Sequence, residues 1–384
     1  MQSPSHQTDA RIQMRIAGAL LAAVAAVFLG VAATSPAAAA AQSTGEFAGD
    51  EPPTFAYYYI WFNPSSWNRA KTDYPALGRY SSDERRTMVR HVQLAKQVGI
   101  DGFIVSWKST PDLDARLAQL RRISKRLDFK LIVIYQGLDF ERRPLPVEQV
   151  ASDFEFFERR YGDDPVFNFF GSPVIIWSGT WEFSAEDIGW VTGQREQLEV
   201  LASAKNVDDY RRVAAEVDGN AYYWSSVNPD TFPGYEQKLV EMGEVVHADG
   251  GLWIAPAAPG FDARLIGGTT VVEREGGETL RREYRAAVAS APDAVGIISW
   301  NEFSENSQIE PSLNHGTESL EVIADLNGAK VPVIRDFDSS APAARSESSF
   351  RSLAAIVLIV LIIAGGTTLI GRRREAADRG GRRS

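Results

Sequence analysis

The chain of 384 residues contains no cysteine and only four histidines, His6, His91, His247 and His315. The first absence excludes a disulfide scaffold and Cys-ligated zinc or iron–sulfur centres, and the second leaves little room for a His-rich metal centre. Also missing are an H-E-x-x-H zinc motif, a G-x-S-x-G nucleophile elbow and a G-x-x-x-x-G-K-[ST] phosphate loop. No metal or other cofactor is therefore expected. What is present is a folded composition: 44% hydrophobic, 23% charged and 10% aromatic residues, which excludes a mainly disordered or fibrous chain.

Both ends read as something other than globular domain. Arg11 and Arg15 precede an apolar run from Ile16 to Ala33, followed by the small residues Ala37 to Ala41. That is the pattern of a signal peptide over 1–41, with an uncut N-terminal anchor as the alternative. Near the other end, Leu353 to Ile370 carries no charge and is followed at once by Arg372, Arg373 and Arg374. About 18–20 helical residues cross a ~30 Å hydrocarbon core, so a transmembrane helix is expected over 351–371. The basic tail, 372–384, belongs in the cytoplasm by the positive-inside rule. Residues 42–53 read as a spacer and 336–350 as a juxtamembrane stalk. The expected localisation is the cell membrane, single-pass, with the domain extracellular.

Residues 351–384 hold seven Arg against two acids, and residues 1–41 two Arg against one Asp. The chain's net charge of −10 thus concentrates to −16 over 42–350. Such a domain is a poor partner for nucleic acid or an anionic lipid surface, and suits a neutral or cationic ligand.

Between the ends, no Pro/Gly/Ser-rich linker divides residues 54–335, a length close to the ~250 of a β/α barrel. Short apolar runs recur at 55–62, 102–106, 131–135, 174–177, 198–202, 220–224, 252–257 and 295–300, as expected for parallel strands covered on both faces. Amphipathic stretches separate or follow them at 83–98, 112–127, 147–161, 185–195, 207–217, 234–248, 278–289 and 318–326. The first of these places Met88, Val89, Val92 and Ala95 at helical spacing behind Ser81-Ser82-Asp83 as cap. Eight strands alternating with eight helices predict an α/β fold, a single (β/α)8 TIM barrel. An open doubly wound sheet is the alternative, but no G-x-G-x-x-G follows the first strand.

In a (β/α)8 barrel the chemistry lies at the C-terminal ends of the strands. Those ends supply Tyr58, Tyr59 and Trp61, then Trp107, Gln136, Tyr223 and Trp224, then Asp262, and finally Trp300 and Asn301. A rim of Tyr and Trp suits a sugar-binding cleft, where flat apolar faces stack on pyranose C–H surfaces. The same aromatics could instead pack helix seams. Glu302 and Glu305 follow a strand predicted to be buried, where a carboxylate needs a partner or work to do. Two carboxylates near one bond can divide the labour of glycoside cleavage, one protonated as acid and the other ionised. His91 and His247 fall within predicted helices and read as surface or packing residues. Asp262 with Arg264 reads as either an ion pair or a substrate contact.

The string Ser299-Trp300-Asn301-Glu302-Phe303-Ser304-Glu305-Asn306-Ser307-Gln308-Ile309-Glu310-Pro311 resembles the SWNEWHEGTQIEP signature of glycoside hydrolase family 99, the endo-acting α-mannosidases and α-mannanases. Residues 58–62 (YYIWF) resemble the family's YYPWY, 78–82 its G-x-Y-S-S, 99–107 its GIDGFIVSW, and 259–262 its PG[YF]-D. The resemblance spans about 54–328. It implies a (β/α)8 barrel that cleaves internal α-mannosides with retention and without metal. It further implies that Glu302 draws the proton from the sugar's own 2-hydroxyl, giving a 1,2-anhydro intermediate, while Glu305 protonates the leaving oxygen and then activates water.

The chain departs from that signature at Phe303-Ser304 in place of W-H and at Asn306-Ser307 in place of G-T. It also has Lys108 where many members carry an aromatic, and Gln136 where members carry a glutamate. Three functions stay open at this point. One is a membrane-tethered retaining endo-α-glycosidase acting on an α-linked oligo- or polysaccharide. The second is a catalytically retired glycan-binding or wall-assembly protein on the same barrel. The third is a glycosidase with a protein nucleophile.

Overall fold

The computed structural model describes residues 51–331, and the expected signal peptide, stalk, membrane span and basic tail lie outside them. No helix of the described residues is long and apolar enough to cross a membrane.

Eight parallel strands close into a barrel: β1 (Thr54–Tyr59), β2 (Gly102–Trp107), β3 (Lys130–Gln136), β4 (Val174–Ser178), β5 (Glu199–Ala202), β6 (Gly219–Ala221), β7 (Leu252–Ala257) and β8 (Ala294–Ile297). Each pairs with its neighbour in sequence, and β1 closes the ring against β8 through Thr54–Val295, Phe55–Gly296 and Ala56–Ile297. The expected barrel is therefore observed. The outer helices are α1 (Arg85–Gln97), α2 (Pro111–Leu127), α3 (Val147–Tyr161), α4 (Ala185–Thr192), α5 (Val207–Arg211), α6 (Tyr235–Ala248), α7 (Glu278–Ala289) and α8 (Glu318–Leu326). A two-stranded antiparallel hairpin, Phe261–Asp262 with Val271–Val272, sits in the connection between β7 and α7.

Local chemistry explains the helix ends. Pro111 opens α2, where a missing N–H costs nothing, Asp112 and Asp114 lie in its first turn, and Lys125 and Arg126 close it, each complementing the helix dipole. Helix α4 starts at a capping box between Ser184 and Asp187. Helix α1 begins two residues later than its sequence suggests. Asp83, the expected cap, is instead held by Arg116 of α2 at 2.8 Å, and Ser81 bonds back to Glu84. The stretch expected to be helical to Val217 ends at Arg211, and Ala214–Glu216 forms a separate 3₁₀ turn.

Two apolar layers follow from strand alternation, because successive side chains point to opposite faces. Phe55, Tyr57, Ile104, Ile132, Ile134, Ile176, Leu201 and Ile254 fill the barrel interior. Ala56, Tyr58, Phe103, Val105, Trp107, Val133, Tyr135, Trp177 and Trp253 pack outward under the helices. Interior room is tight where the strands converge: a Cβ on Gly102 would come within 2.4 Å of the Phe55 ring.

Candidate active site

The parity of each strand decides which of the expected rim residues reach the mouth. Tyr59, Tyr223 and Gln136 have the interior parity, and Trp61 stacks on Tyr59 with ring centroids 4.3 Å apart. Tyr59 and Tyr223 join hydroxyl to hydroxyl, linking the ends of β1 and β6 across the barrel. Gln136 ends β3 and donates through Nε2 to Ser106 Oγ at 3.0 Å.

Four expected cleft residues pack under the helices instead, which corrects their placement. Tyr58, Trp107 and Trp224 have the opposite parity, whereas Trp300 shares the parity of interior Ala294 and Ile298 but lies beyond the end of β8, where the chain turns it outward. Tyr58 lies under α1, stacked on Phe103 and bonded to His91 Nδ1 at 3.0 Å. Trp107 is fully buried and donates to Asp114 Oδ1 of α2. Trp224 stacks between Tyr222 and Tyr235 of α6. Trp300 is fully buried against Phe103 and His91. None of these four presents a face to a ligand in the mouth.

Asn301, expected at the cleft, is bonded to the end of β1. Its Oδ1 accepts from Tyr59 N at 2.9 Å, and its Nδ2 donates to Tyr59 O and to the Tyr80 hydroxyl. The amide thus continues the β1–β8 pairing beyond the last ladder bond. Behind it, Tyr80 donates to Glu310 Oε2 at 2.8 Å, and His91 Nε2 lies 3.1 Å from Glu310 Oε1. His91 is accordingly a buried packing residue, and His247 a surface one beside Asp293. His315 pairs with Asn306 Oδ1. Asp262 is bound in a fork by Arg264, which holds its carboxyl below the usual range, while its backbone N–H donates to Glu305 O. The ion-pair reading of Asp262 and Arg264 is the one observed.

Glu302 and Glu305 come together in the segment that follows β8, and both are buried, at 3% and 1% exposure. Their surroundings differ. Glu302 Oε1 accepts from Ser304 N at 3.0 Å, and its own N–H donates to Ser299 Oγ at 2.8 Å. Lys71, in the loop after β1, lies within its field. That loop is fixed by Thr72, whose N–H and hydroxyl both donate to Phe303 O. Burial raises the Glu302 carboxyl above its ordinary value, and the Ser304 bond and Lys71 pull it back. Glu305 has no such help: both its carboxylate oxygens are buried without a hydrogen-bond partner. Burial pushes it well above the usual carboxylate range, and the charge of Glu302 pushes it further. Tyr59 and Tyr223 sit in the field of both carboxylates, which, with burial, keeps the two phenols protonated. An ionised and a protonated carboxyl side by side can act as base and acid. No group of three or more His, Asp or Glu that could hold a metal occurs among the described residues.

Lys71 and the serines that hold Glu302 carried no signal in the sequence. Their roles come from loop paths that no periodicity reveals. The outward placement of Tyr58, Trp107 and Trp224, by contrast, follows from strand alternation alone, while that of Trp300 depends on the turn of the chain after β8.

A closed barrel with an unequal carboxylate pair beyond β8, faced by two phenols, one of them stacked on an indole, has the architecture of a glycoside hydrolase. The family model of glycosyl hydrolase family 99 matches residues 63–327, and the chain belongs to that family. Among solved structures it is similar to an endo-α-mannosidase of the same family from Bacteroides thetaiotaomicron, with a TM-score of 0.64 and 19% identity over 71% of this chain and 95% of that one. The same enzyme in complex with bis-tris-propane gives 0.63 and 20%, with the same coverage. A glycoside hydrolase-like protein gives 0.58 and 15%, over 72% and 94%. At these identities the likeness concerns the fold. No curated protein matches the sequence significantly.

Proposed function

We propose that the protein is a retaining endo-α-glycosidase of the α-mannosidase or mannanase class, held at the outer face of the cell membrane by residues 351–371. The observation that carries this reading is the unequal environment of the two glutamates. Glu302, held by the backbone and hydroxyl of Ser304 beside a nearby ammonium, is the base, and Glu305, buried and unpaired, is the acid.

In the first step Glu302 takes the proton from the 2-hydroxyl of the sugar whose bond is cleaved. O2 closes on C1, giving a 1,2-anhydro sugar, and the departing oxygen takes its proton from Glu305. In the second step Glu305, now ionised, removes a proton from water as that water opens the ring at C1, and O2 recovers its proton from Glu302. Two inversions give net retention. Axial O2 of mannose lies anti to an α leaving group, so the first closure needs no reorientation of the ring. Trp61 and Tyr59 offer stacking faces beside the pair.

The test is product analysis with the full chain on a panel of α-mannans and α-glucans. Glu302→Gln and Glu305→Gln each lower kcat/KM by about 10²–10⁴-fold, the usual share of general acid–base catalysis, with unchanged thermal unfolding cooperativity. The first-formed product is the α-anomer by proton NMR. Near-full activity in either variant refutes the assignment. Tight glycan binding with no turnover by the unaltered chain would favour the binding-protein reading, and a trapped covalent sugar on either glutamate would favour a protein nucleophile.

A further inference from the structure

Over residues 42–350 the net charge is −16, yet the loops that frame one side of the mouth have the opposite character. Strands β1, β2 and β3 are neighbours in the barrel, and the loops that follow them carry Arg69, Lys71, Lys108 and Arg142. Among the described residues none of these four is ion-paired with a carboxylate. Lys71 Nζ donates to Ser66 O at 3.1 Å, and Lys108 Nζ to Leu138 O at 3.0 Å. One guanidinium nitrogen of Arg69 and one of Arg142 are buried with no acceptor at all.

The acids nearby have partners of their own. In the loops Asp139 and Glu141 are bound to Arg143, Asp83 to Arg116, and Asp73 accepts from the backbone N–H groups of Tyr74 and Asn314. At the helix starts behind them Asp114 of α2 binds the Trp107 indole and Asp153 of α3 the Tyr135 hydroxyl. Burial lowers the pKa of Lys71 and Lys108, and outweighs the opposing charge of Glu302 on the first and of Asp139 and Asp153 on the second. A dry N–H without an acceptor is costly unless a ligand supplies one. Two departures from the family signature act in the same direction: Lys108 adds a positive charge at the end of β2, and Gln136 leaves the end of β3 without a negative one. Whole-domain charge, which argued for a neutral or cationic ligand, is thus no guide to the mouth.

We propose that the glycan cleaved here is anionic, bearing phosphate or carboxylate groups that Arg69 and Lys71 bind on one side of the cleft and Lys108 and Arg142 on the other. The inference rests on the reading of Glu302 and Glu305 as the glycosidic pair. Near the cleavage point the glutamates do not cancel these cations. Burial and Glu302 push the Glu305 carboxyl well above the usual range, which favours its neutral form, and Glu302 lies in the field of Lys71 alone of the four.

The test uses the full chain in detergent, carrying Glu302→Gln so that ligands survive the measurement. Calorimetry compares three tetrasaccharides of one α-linked mannose backbone: neutral, with a single 6-phosphate, and with a single C6 carboxylate. At low salt at least one anionic ligand binds about tenfold tighter than the neutral one, a difference that shrinks as added salt shortens the screening length. Whichever anion gains more identifies the substituent. Arg69→Gln and Arg142→Gln each narrow the gap while leaving affinity for the neutral ligand unchanged and without lowering the melting temperature. Equal or weaker binding of both anionic ligands, insensitive to salt, overturns the proposal. If the neutral backbone is still cleaved by the unaltered chain in that case, the glycosidase reading survives it. If no α-mannoside is bound or cleaved, the glycosidase reading falls and this inference falls with it.

Discussion

In the proposed mechanism Lys71 tunes the working pH of the base, Glu302. Among the described residues its ammonium is the cation whose charge bears on Glu302, and it opposes the upward pull of burial. In a bell-shaped profile of kcat/KM against pH the acid limb reports ionisation of the base and the alkaline limb ionisation of the acid. Both glutamates are displaced upward, Glu305 the more strongly, so activity falls off at higher pH on both limbs than free carboxyls would give. Lys71→Met removes the counter-charge, and the acid limb moves to higher pH while the alkaline limb holds. A pH profile of kcat/KM with both limbs unmoved would show that Lys71 has no electrostatic role. Glu305 also has a stability signature. Its carboxyl, raised in the folded state, keeps a proton that the unfolded chain releases above about pH 4.3. Folding stability therefore declines as pH rises from there through the folded value. Glu305→Gln removes the ionisation, flattens the decline and raises the melting temperature at pH 7, by about 2–4 °C for each kcal/mol recovered. Differential scanning calorimetry of both forms across pH 4–8 checks it, and parallel declines would contradict the buried, unpaired state of this carboxyl.

At the scale of the element, the segment after β7 shows how a helix holds part of the site in place. Ala258 N donates to Glu283 Oε2 of α7 at 2.6 Å, and four residues on, Asp262 N donates to Glu305 O. Glu283 is fully buried and raised well above the carboxylate range by desolvation, so it works as a neutral acceptor. Glu283→Gln keeps an acceptor and is tolerated. Glu283→Leu strands a buried N–H, costs about 1–3 kcal/mol and lowers kcat, because the 258–262 strap no longer fixes Glu305. Chemical denaturation and kinetics on the two variants separate these outcomes, and equal behaviour of Gln and Leu would sink the argument. The strands themselves were legible from sequence, since continuous β-branched and aromatic runs between amphipathic helices admit few other arrangements. β5 and β6 were harder to bound: they share a single paired position, Ala202 with Asn220, and the chain between them includes only a five-residue helix. Which rim aromatics face the cleft was misread at Tyr58, Trp107 and Trp224, because hydrophobic content at a strand end says nothing of parity, and at Trp300, because the chain leaves the strand register after β8. Glu302 and Glu305 were legible because a carboxylate after a buried strand is costly enough to need a reason. The hold of Thr72 on Phe303, which carries Lys71 to the pair, depends on a loop path that leaves no periodic trace.

For the whole molecule, the barrel carries the reaction and the proposed anchor decides where it happens. The described residues contain no membrane-crossing helix, so attachment rests on the apolar run from Leu353 to Ile370 and the arginines behind it. Eighteen uncharged residues are long enough to span the hydrocarbon core at 1.5 Å per residue, and a charged side chain there is strongly disfavoured. The full chain should therefore stay in the membrane pellet through high salt and alkaline carbonate, which strip proteins held by charge alone. A chain ended after residue 350 should appear outside the cell with its activity intact, because every residue of the carboxylate pair and its supports lies between Tyr58 and Glu310. Orientation follows from the arginines: external protease on intact cells should remove the barrel and spare an epitope placed after Ser384. Retention of the shortened chain in the pellet, or protection of the barrel from external protease, would place the domain elsewhere. The glycan would then have to be sought on the inner side of the membrane.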